Sequence, residues 1–356
     1  MNDVIRNTTN NNAGSILEKL THTLLYEGYS LYPYYRSAIK NQKPIPFGVI
    51  FPKDYNAYNE HSHSHIQSQS IIYGSSDLTV SINVRFLHLN QTGLYQKNYN
   101  SEEFSPAFDL EINGKTHQAA SPTIERNIQT ESLRITDLTA GGKTIPFSFE
   151  SFNEGEMIFN DEKEIVAKRI TSISEINGVV QIQAEVLVDM EDSFRLTVTV
   201  TNITQVANAS LRTRDEALLQ SFLSTHIILQ TPDGEFISQQ DTPAKWQPAM
   251  ATCNNVNTWP ILIDKNNTTL LSSPIILYDY PEINPVSSGD LFDSTEIEEA
   301  LLLHVNLLSD EEKKRIGSND EKLRAMLDNV SSLTPEDLNV YHSMMKDIIP
   351  GEFGNK

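Results

Sequence analysis

The sequence lacks several features that would assign it to a class of protein. It has one cysteine, Cys253, in 356 residues, which excludes an internal disulfide framework and any zinc or iron–sulfur site built from several cysteines of one chain. No apolar run reaches the ~20 residues that a membrane-spanning helix needs. The polar N-terminus, MNDVIRNTTNNNAGS, lacks the apolar segment of a signal peptide. We therefore expect a soluble, cytoplasmic protein with no membrane insertion.

Positive charge is also scarce. Lys and Arg total 27 against 47 Asp and Glu, which gives a formal net charge of −20, and the basic residues form no cluster. This balance repels nucleic acids and anionic lipid surfaces. No G-x-G-x-x-G follows a candidate strand, and no G-x-S-x-G surrounds a serine. These absences argue against nucleic-acid binding, a dinucleotide-binding fold and a serine nucleophile elbow.

What is present is a series of short apolar segments with the period of β-strands. One face of DLTVSINVRFLHL is apolar at every second residue and should be buried: Leu78, Val80, Ile82, Val84 and Phe86. VVQIQAEVLVDM, FRLTVTVTNIT, THIILQT, TWPILID and SPIILYDY predict further strands, and the proline-bounded FGVIFP a short one. Turns are expected at Gly178, Asp192–Ser193 and Pro232–Gly234. The pattern predicts a mainly β (α+β) fold, an antiparallel β-sandwich or open barrel.

Helix signals frame this β region. Ser15 and Glu18 have capping-box spacing before an apolar helical face, and Thr334-Pro335-Glu336 is typical of a helix start. We therefore expect four regions along the chain. They are a disordered tail at 1–14, an N-terminal helix with a Tyr/Pro-rich segment at 15–69, a β-sandwich core at 70–290, and a helical C-terminal appendage at 291–356.

The segment LLYEGYSLYPYY holds the densest aromatic cluster of the chain. Aromatic side chains of this kind seal a helix against a sheet, form a partner-binding surface or stack a ligand. Core sealing has the higher base rate, and a carboxylate among them could accept hydrogen bonds from the phenolic groups. As a partner-binding hypothesis we single out six residues: Tyr26, Glu27, Tyr29, Tyr32, Tyr34 and Tyr35.

Two polar groups have metal-binding residue types without a complete metal-binding pattern. The alternating His61, His63 and His65 of HSHSH could hold zinc, nickel or copper, but no apolar shell would fix them, so we expect a solvated loop. An acidic loop contains carboxylates that suit calcium or magnesium, although their spacing differs from that of an EF-hand. We expect helix capping or solvation for this group, which comprises Asp279, Glu282, Asp290 and Asp293.

Two further groups have the residue types of catalysis. Asp215, Ser221, Ser224 and His226 could supply a nucleophilic triad, but such types occur often by chance and only geometry identifies a triad. The Cys253 thiol has no neighbouring histidine in the sequence that would lower its pKa, so we expect it to be buried and inert. We assign no catalytic residue, no cofactor and no metal.

Several segments together resemble an uncharacterised bacterial protein family encoded beside uptake-type nickel–iron hydrogenases. The matching segments span most of residues 22–315 and include LLYEGYSLYPYYRSAIKNQ, STHIIL, NTWPILI and SSPIILYDYPEI. Family members tend to carry a cysteine-containing segment where this chain has SQSIIY, and many continue into a small extra C-terminal domain. No catalytic residue is established for the family, so the resemblance carries none over.

The resemblance implies a non-catalytic accessory protein that assists the assembly, maturation or scaffolding of a nickel–iron hydrogenase. Its partner would then be the hydrogenase or one of its maturation factors. Two alternatives stay open. One is a small-molecule-binding or hydrolytic β-sandwich with a pocket between the Tyr-rich segment and the acidic loop. The other is a structural subunit of a larger assembly.

Overall fold

Antiparallel β-strands make up most of the chain that the structure describes. The computed structural model describes residues 17–22, 24–25, 47–59, 62–99, 101–107, 109–118, 123–188 and 190–281. These residues belong to one of the two units into which the chain divides, and that unit comprises residues 1–30 and 44–281. The C-terminal appendage expected at 291–356 lies outside the described residues.

The secondary-structure elements are short apart from one long strand. Residues 17–22 and 24–25 are helical and are called α1 here. The other helices are α2 (Lys53–Asn56), α3 (Ile135–Ala140), α4 (Arg214–Leu218) and α5 (Gln247–Met250). The strands are β1 (His65–Tyr73), β2 (Thr79–Lys97), β3 (Phe104–Ala107), β4 (Asp109–Ile112), β5 (Lys115–Gln118), β6 (Thr123–Gln129), β7 (Leu133–Arg134), β8 (Lys143–Phe149), β9 (Phe152–Phe159), β10 (Ile165–Ile173), β11 (Ile176–Val186), β12 (Ser193–Asn202), β13 (Leu223–Gln230), β14 (Glu235–Phe236), β15 (Trp259–Leu262) and β16 (Thr269–Ser273).

Two of the sheets share one hydrophobic core, which gives a β-sandwich-like arrangement. The first sheet has the strand order β14-β1-β12-β11-β8, and the second has the order β15-β16-β13-β2-β10-β9, with β3, β6 and β7 also paired to β2. The hairpin β4–β5 forms a small third sheet. Buried side chains of β1, β11 and β12 meet those of β2, β13 and β16 in one cluster. The predicted antiparallel, mainly β fold is confirmed.

The alternating face of β2 supplies much of this core. All five predicted residues are buried, and none is more than 1% exposed. The Phe86 ring lies between the sheets, 4.7 Å from the ring of Phe222 and 5.9 and 6.3 Å from those of Phe147 and Phe149, measured between ring centroids. Because Phe147 and Phe149 belong to the other sheet, this aromatic cluster joins the two layers.

Helices cover the outer face of the second sheet and form a second core with it. Leu87 and Leu89, which lie between the inward-facing residues of β2, point to this outer side. The apolar residues that pack there come from α1, α2, α4 and the segments beside them: Leu25, Phe51, Tyr55, Ala217, Leu218 and Leu223. The predicted N-terminal helix therefore exists within the described residues and packs on the sheet.

Three local expectations from the sequence are wrong. Gly178 lies inside β11 and not at a turn. It is paired with Phe147 of β8, whose ring lies over it, and a Cβ there would lie 2.1 Å from Phe147 Cζ. SPIILYDY is not a strand, since the strand β16 ends before Pro274 and the Ile275 N–H bonds the Ser273 side chain instead. FGVIFP contributes only a single bridge, from Ile50 to Phe222.

Other expectations are confirmed. The β11–β12 hairpin turns at Asp192, which has a φ of 54°, and residues 232–233 bend between β13 and β14. One boundary differs from the expectation, since the strand region begins at His65 and not at residue 70. Its inward-facing positions in β1 include the small polar residues Ser68 and Ser70, both fully buried, which hide the strand from a search for apolar alternation.

None of the helices in the described ranges is long and apolar enough to span a membrane.

Candidate functional site

The tyrosine cluster is the first of the sites predicted from the sequence. Its six residues, Tyr26, Glu27, Tyr29, Tyr32, Tyr34 and Tyr35, lie outside the described residues. The partner-binding hypothesis for this cluster therefore stays a prediction.

Helix α1, just before the cluster, is coupled to the sheet by other residues. Leu20, Leu24 and Leu25 are buried, and the Ser224 hydroxyl of β13 donates a hydrogen bond of 3.0 Å to the Leu24 carbonyl. Arg85 of β2 donates from Nη1 to Glu18 Oε2 at 2.8 Å. These polar contacts join residues that are far apart in sequence, so no local pattern could have predicted them.

Arg85 is the centre of a partly buried ion-pair network. Its side chain is 7% exposed and lies between Glu18 of α1 and Glu125 of β6, whose side chains are 68% and 28% exposed. Burial by itself would lower the pKa of Arg85, but the hydrogen bonds to the two carboxylates outweigh it and raise the pKa. The guanidinium therefore stays charged, and it fixes α1 and β6 to β2.

The residues proposed as a triad do not form one. His226 Nδ1 lies 2.7 Å from the Ser224 carbonyl oxygen, and Nε2 lies 3.3 Å from the Ser273 hydroxyl. The hydroxyl of Ser221 donates to the Ala217 carbonyl, while Asp215 lies in the first turn of α4. Ser224 has a φ of 50°, a conformation that non-glycine residues seldom adopt, and it coincides with the irregular register of β13.

The electrostatic state of His226 also fits a structural role. The side chain is fully buried, and burial lowers its pKa to about 4; the hydrogen bond to Ser224 opposes this shift and the charge of Arg85 adds to it. A neutral imidazole then donates from Nδ1 to the carbonyl and accepts at Nε2 from Ser273. Both ring nitrogens are satisfied inside the fold.

The acidic loop is represented by one residue, Asp279. Its Oδ1 accepts the Leu262 backbone N–H at 2.8 Å, and its Oδ2 accepts the Ser238 hydroxyl at 2.5 Å. The carboxylate therefore fastens the segment after β16 to β15. Glu282, Asp290 and Asp293 lie outside the described residues, so the acidic loop as a group stays a prediction.

The described residues of the histidine segment and the lone thiol show no metal or nucleophile geometry. His63 is exposed and His65 begins β1, while His61 lies outside the described residues. In the described part of the chain, no three His, Cys, Asp or Glu residues are grouped to hold a metal. Cys253 is half-buried beside an apolar cluster that includes Ile71, and burial raises the pKa of its thiol although Arg195 opposes the shift.

Sequence analysis missed the exposed surface that the structure presents most clearly. We call β3, β9, β10 and the C-terminal half of β2 the arm. One side of the arm packs on the β4–β5 hairpin, where Leu94, Ile158 and Ala167 meet Leu110 and Ile112. The opposite side, called the arm face here, carries five apolar residues: Tyr95, Phe104, Met157, Phe159 and Ile170.

The arm face is exposed and has an aromatic centre. Met157 and Phe159 are 48% and 49% exposed. Lys168 lies beside Tyr95 and Met157 in register, with its Nζ 4.6 Å from the Phe104 ring centroid and 5.4 Å from that of Tyr95. The ammonium group thus sits on two aromatic faces, an attractive geometry. The segment FNEGEMIF has no regular apolar alternation, because Asn153 and Gly155 share the face of Met157 and Phe159, and two glutamates share the other face.

No protein-family model, no curated protein and no solved structure matches the chain. The assignment of function therefore depends on these surfaces and on the sequence resemblance.

Proposed function

We propose that the chain is a non-catalytic, cytoplasmic accessory protein that binds another protein, and that this partner is a nickel–iron hydrogenase or one of its maturation factors. The observation that carries the binding role is the arm face, an apolar and aromatic surface on a sheet whose other side is packed. Interfaces are enriched in aromatic residues and methionine at their centres. The arm face has this composition.

The geometry of the arm face suits a protein partner better than a small ligand. Ile170 is paired with Gly155 in the neighbouring strand, and a Cβ built at Gly155 meets nothing within 4 Å. The surface is therefore open at this position, with space for a partner side chain beside Met157. A small-molecule site is normally concave and buries most of its ligand.

The buried polar groups support a binding role over catalysis. The Ser221, Ser224 and His226 side chains are buried and hydrogen-bonded to backbone carbonyls. A catalytic group needs hydrogen-bond reach to a substrate. These three groups use their hydrogen bonds to hold α4, α1 and β13 in place.

The hydrogenase part of the proposal is supported by the resemblance of LLYEGYSLYPYY, STHIIL, NTWPILI and SSPIILYDYPEI to the hydrogenase-associated family. The acidic composition suits a soluble protein of the cytoplasm.

The test is capture of hydrogenase subunits by the tagged full chain in its native host. We expect the wild-type chain to retain them and the double variant Met157→Gln/Phe159→Gln to lose them. Leu211→Gln is the matched control, because Leu211 is an apolar residue that is 81% exposed and belongs to none of the strands of the arm. Absence of hydrogenase subunits from the wild-type sample would refute the partner, and equal capture by the double variant would refute the arm face as the site.

A further inference from the structure

Strand β6 presents a free backbone edge on the opposite side from β2. β6 pairs with β2 along Asn83–Leu89, and among the described residues no strand pairs with its other side. Just past the strand, the Thr130 N–H donates to the Ile82 carbonyl at 2.9 Å. Since antiparallel residues alternate in direction, the N–H and C=O groups of Glu125, Asn127 and Gln129 point to the free edge.

The main core is incompletely covered along this same edge. Its partly buried apolar residues come mainly from β6, β7 and β8: Ile128, Leu133, Ile145, Phe147 and Phe149. Strand β8 is the edge of the first sheet, so the two sheets end near each other here. β8 carries Pro146, which has no N–H to donate. Proline in an edge strand commonly prevents pairing with a further strand. The edge of β6 has no proline.

Arg126 of β6 lies at this opening without a carboxylate. Its guanidinium carbon is 4.2 Å from the centroid of the Phe149 ring, and Nη2 is 3.5 Å from His88 Nδ1. The Arg126 Nε is buried and has no hydrogen-bond partner, and no carboxylate pairs with this side chain within the described ranges. A buried donor without an acceptor is unfavourable. By contrast, the guanidinium of Arg85, in the paired strand β2, forms ion pairs with two carboxylates.

We propose that the free edge of β6 binds an extended segment of a partner protein by strand addition, and that an Asp or Glu of this segment pairs with Arg126. The backbone groups of Glu125, Asn127 and Gln129 would supply the ladder. A guanidinium binds a carboxylate through two parallel hydrogen bonds, and an apolar residue two positions away along the segment covers Phe149. This surface is separate from the arm face and goes beyond the function proposed above.

The experiment selects peptides with the full chain as bait. A library of random 12-residue peptides is panned on the immobilised protein, and the enriched sequences are synthesised. We expect an acid with an apolar residue two positions away. Arg126→Gln should weaken the best peptide by more than about tenfold, because it removes one partner of a shielded charge pair. Asn127→Pro should weaken it similarly, since it deletes an edge donor without deleting a bond to β2.

Arg134→Gln is the matched control, since Arg134 is exposed on the neighbouring strand β7. It should change the affinity by less than about threefold, the range of an exposed charge. Amide exchange on the wild-type chain needs no variant: bound peptide should slow exchange at Glu125, Asn127 and Gln129. Each of three results would overturn the proposal. They are enriched peptides without an acid, an affinity that is unchanged by Arg126→Gln, and unchanged exchange at these amides.

A second copy of the chain is the other possible occupant of the edge. Sedimentation that shows a wild-type dimer, abolished by Asn127→Pro, would assign the edge to self-association and overturn the proposal. Peptide selection does not involve hydrogenase, so the two proposals can fail separately. Acid-bearing peptides bound at β6 with no hydrogenase captured would refute only the hydrogenase partner.

Discussion

Replacing Phe86 with alanine should remove the aromatic contact that joins the two sheets. Phe86 is 0% exposed, and its ring contacts Phe222, Phe147 and Phe149. Truncation of a buried phenylalanine costs roughly 3–5 kcal/mol, and each aromatic pair can add about 0.5–1.5 kcal/mol beyond burial. We therefore expect a loss of about 4 kcal/mol in the free energy of unfolding, near the middle of the truncation range.

Urea unfolding followed by tryptophan fluorescence measures this loss, because the chain has 2 Trp residues. The slope of free energy against urea should be the same for variant and wild type, so that the midpoint alone reports stability. Phe152→Ala is the matched control, since Phe152 is 51% exposed in the edge strand β9. It should change the free energy of unfolding by about 0.5 kcal/mol or less.

The refuting result is a loss below about 1.5 kcal/mol for Phe86→Ala at unchanged slope, which would place it outside the range of a packed aromatic core. The face-to-face packing of β2 against β8 would then be wrong. A similar loss for Phe86→Ala and Phe152→Ala would contradict the difference in burial on which the magnitude depends.

Three further predictions concern single groups. His226 has a pKa of about 4 in the folded chain against 6.5 ordinarily. Between these two values only the unfolded chain binds the proton, so the stability of the fold should decrease as the pH drops from 6.5 towards 4. Thermal melts of His226→Asn should show a smaller decrease over the same pH range. Thr213→Ala removes the capping box of α4 and should cost about 1 kcal/mol in urea unfolding, whereas an unchanged midpoint would contradict the cap. Replacing His61, His63 and His65 with alanine should leave the melting temperature unchanged, and metal analysis that finds stoichiometric metal in the wild type alone would refute this.

Period-two patterns predicted those strands whose buried face is apolar along its whole length. β2 shows the pattern from Val80 to Phe86, and β12 shows it in FRLTVTVTN, so both were found. The start of β1 was predicted too far along the chain because Ser68 and Ser70 face the core and interrupt the apolar pattern. Ser68 bonds Ser272 of β16 at 2.6 Å between the two sheets, and this pairing satisfies both hydroxyls in a way that neither segment reveals alone.

The candidate sites were harder to predict because their function depends on partners far away in the chain. The residue types around His226 suggested a triad, and only the fold shows that its two ring nitrogens bond the Ser224 carbonyl and the Ser273 hydroxyl. Arg126 had no distinguishing local pattern; its significance comes from Phe149 on another sheet and from the missing carboxylate among the described residues. Sequence spacing reports neither burial nor the identity of neighbours across a sandwich.

Strand β2 runs without interruption from the sandwich into the arm, and this has a consequence for folding. It pairs with β13, β6 and β7 in its first part and with β10 and β3 in its second. Neither part can be excised as a separate piece without cutting the backbone that both need. Most of these pairings join residues far apart in sequence, which slows folding because long loops must close before any ladder forms. We expect the arm and the sandwich to melt in one cooperative step. A single proteolytic cut in β2 should therefore unfold both.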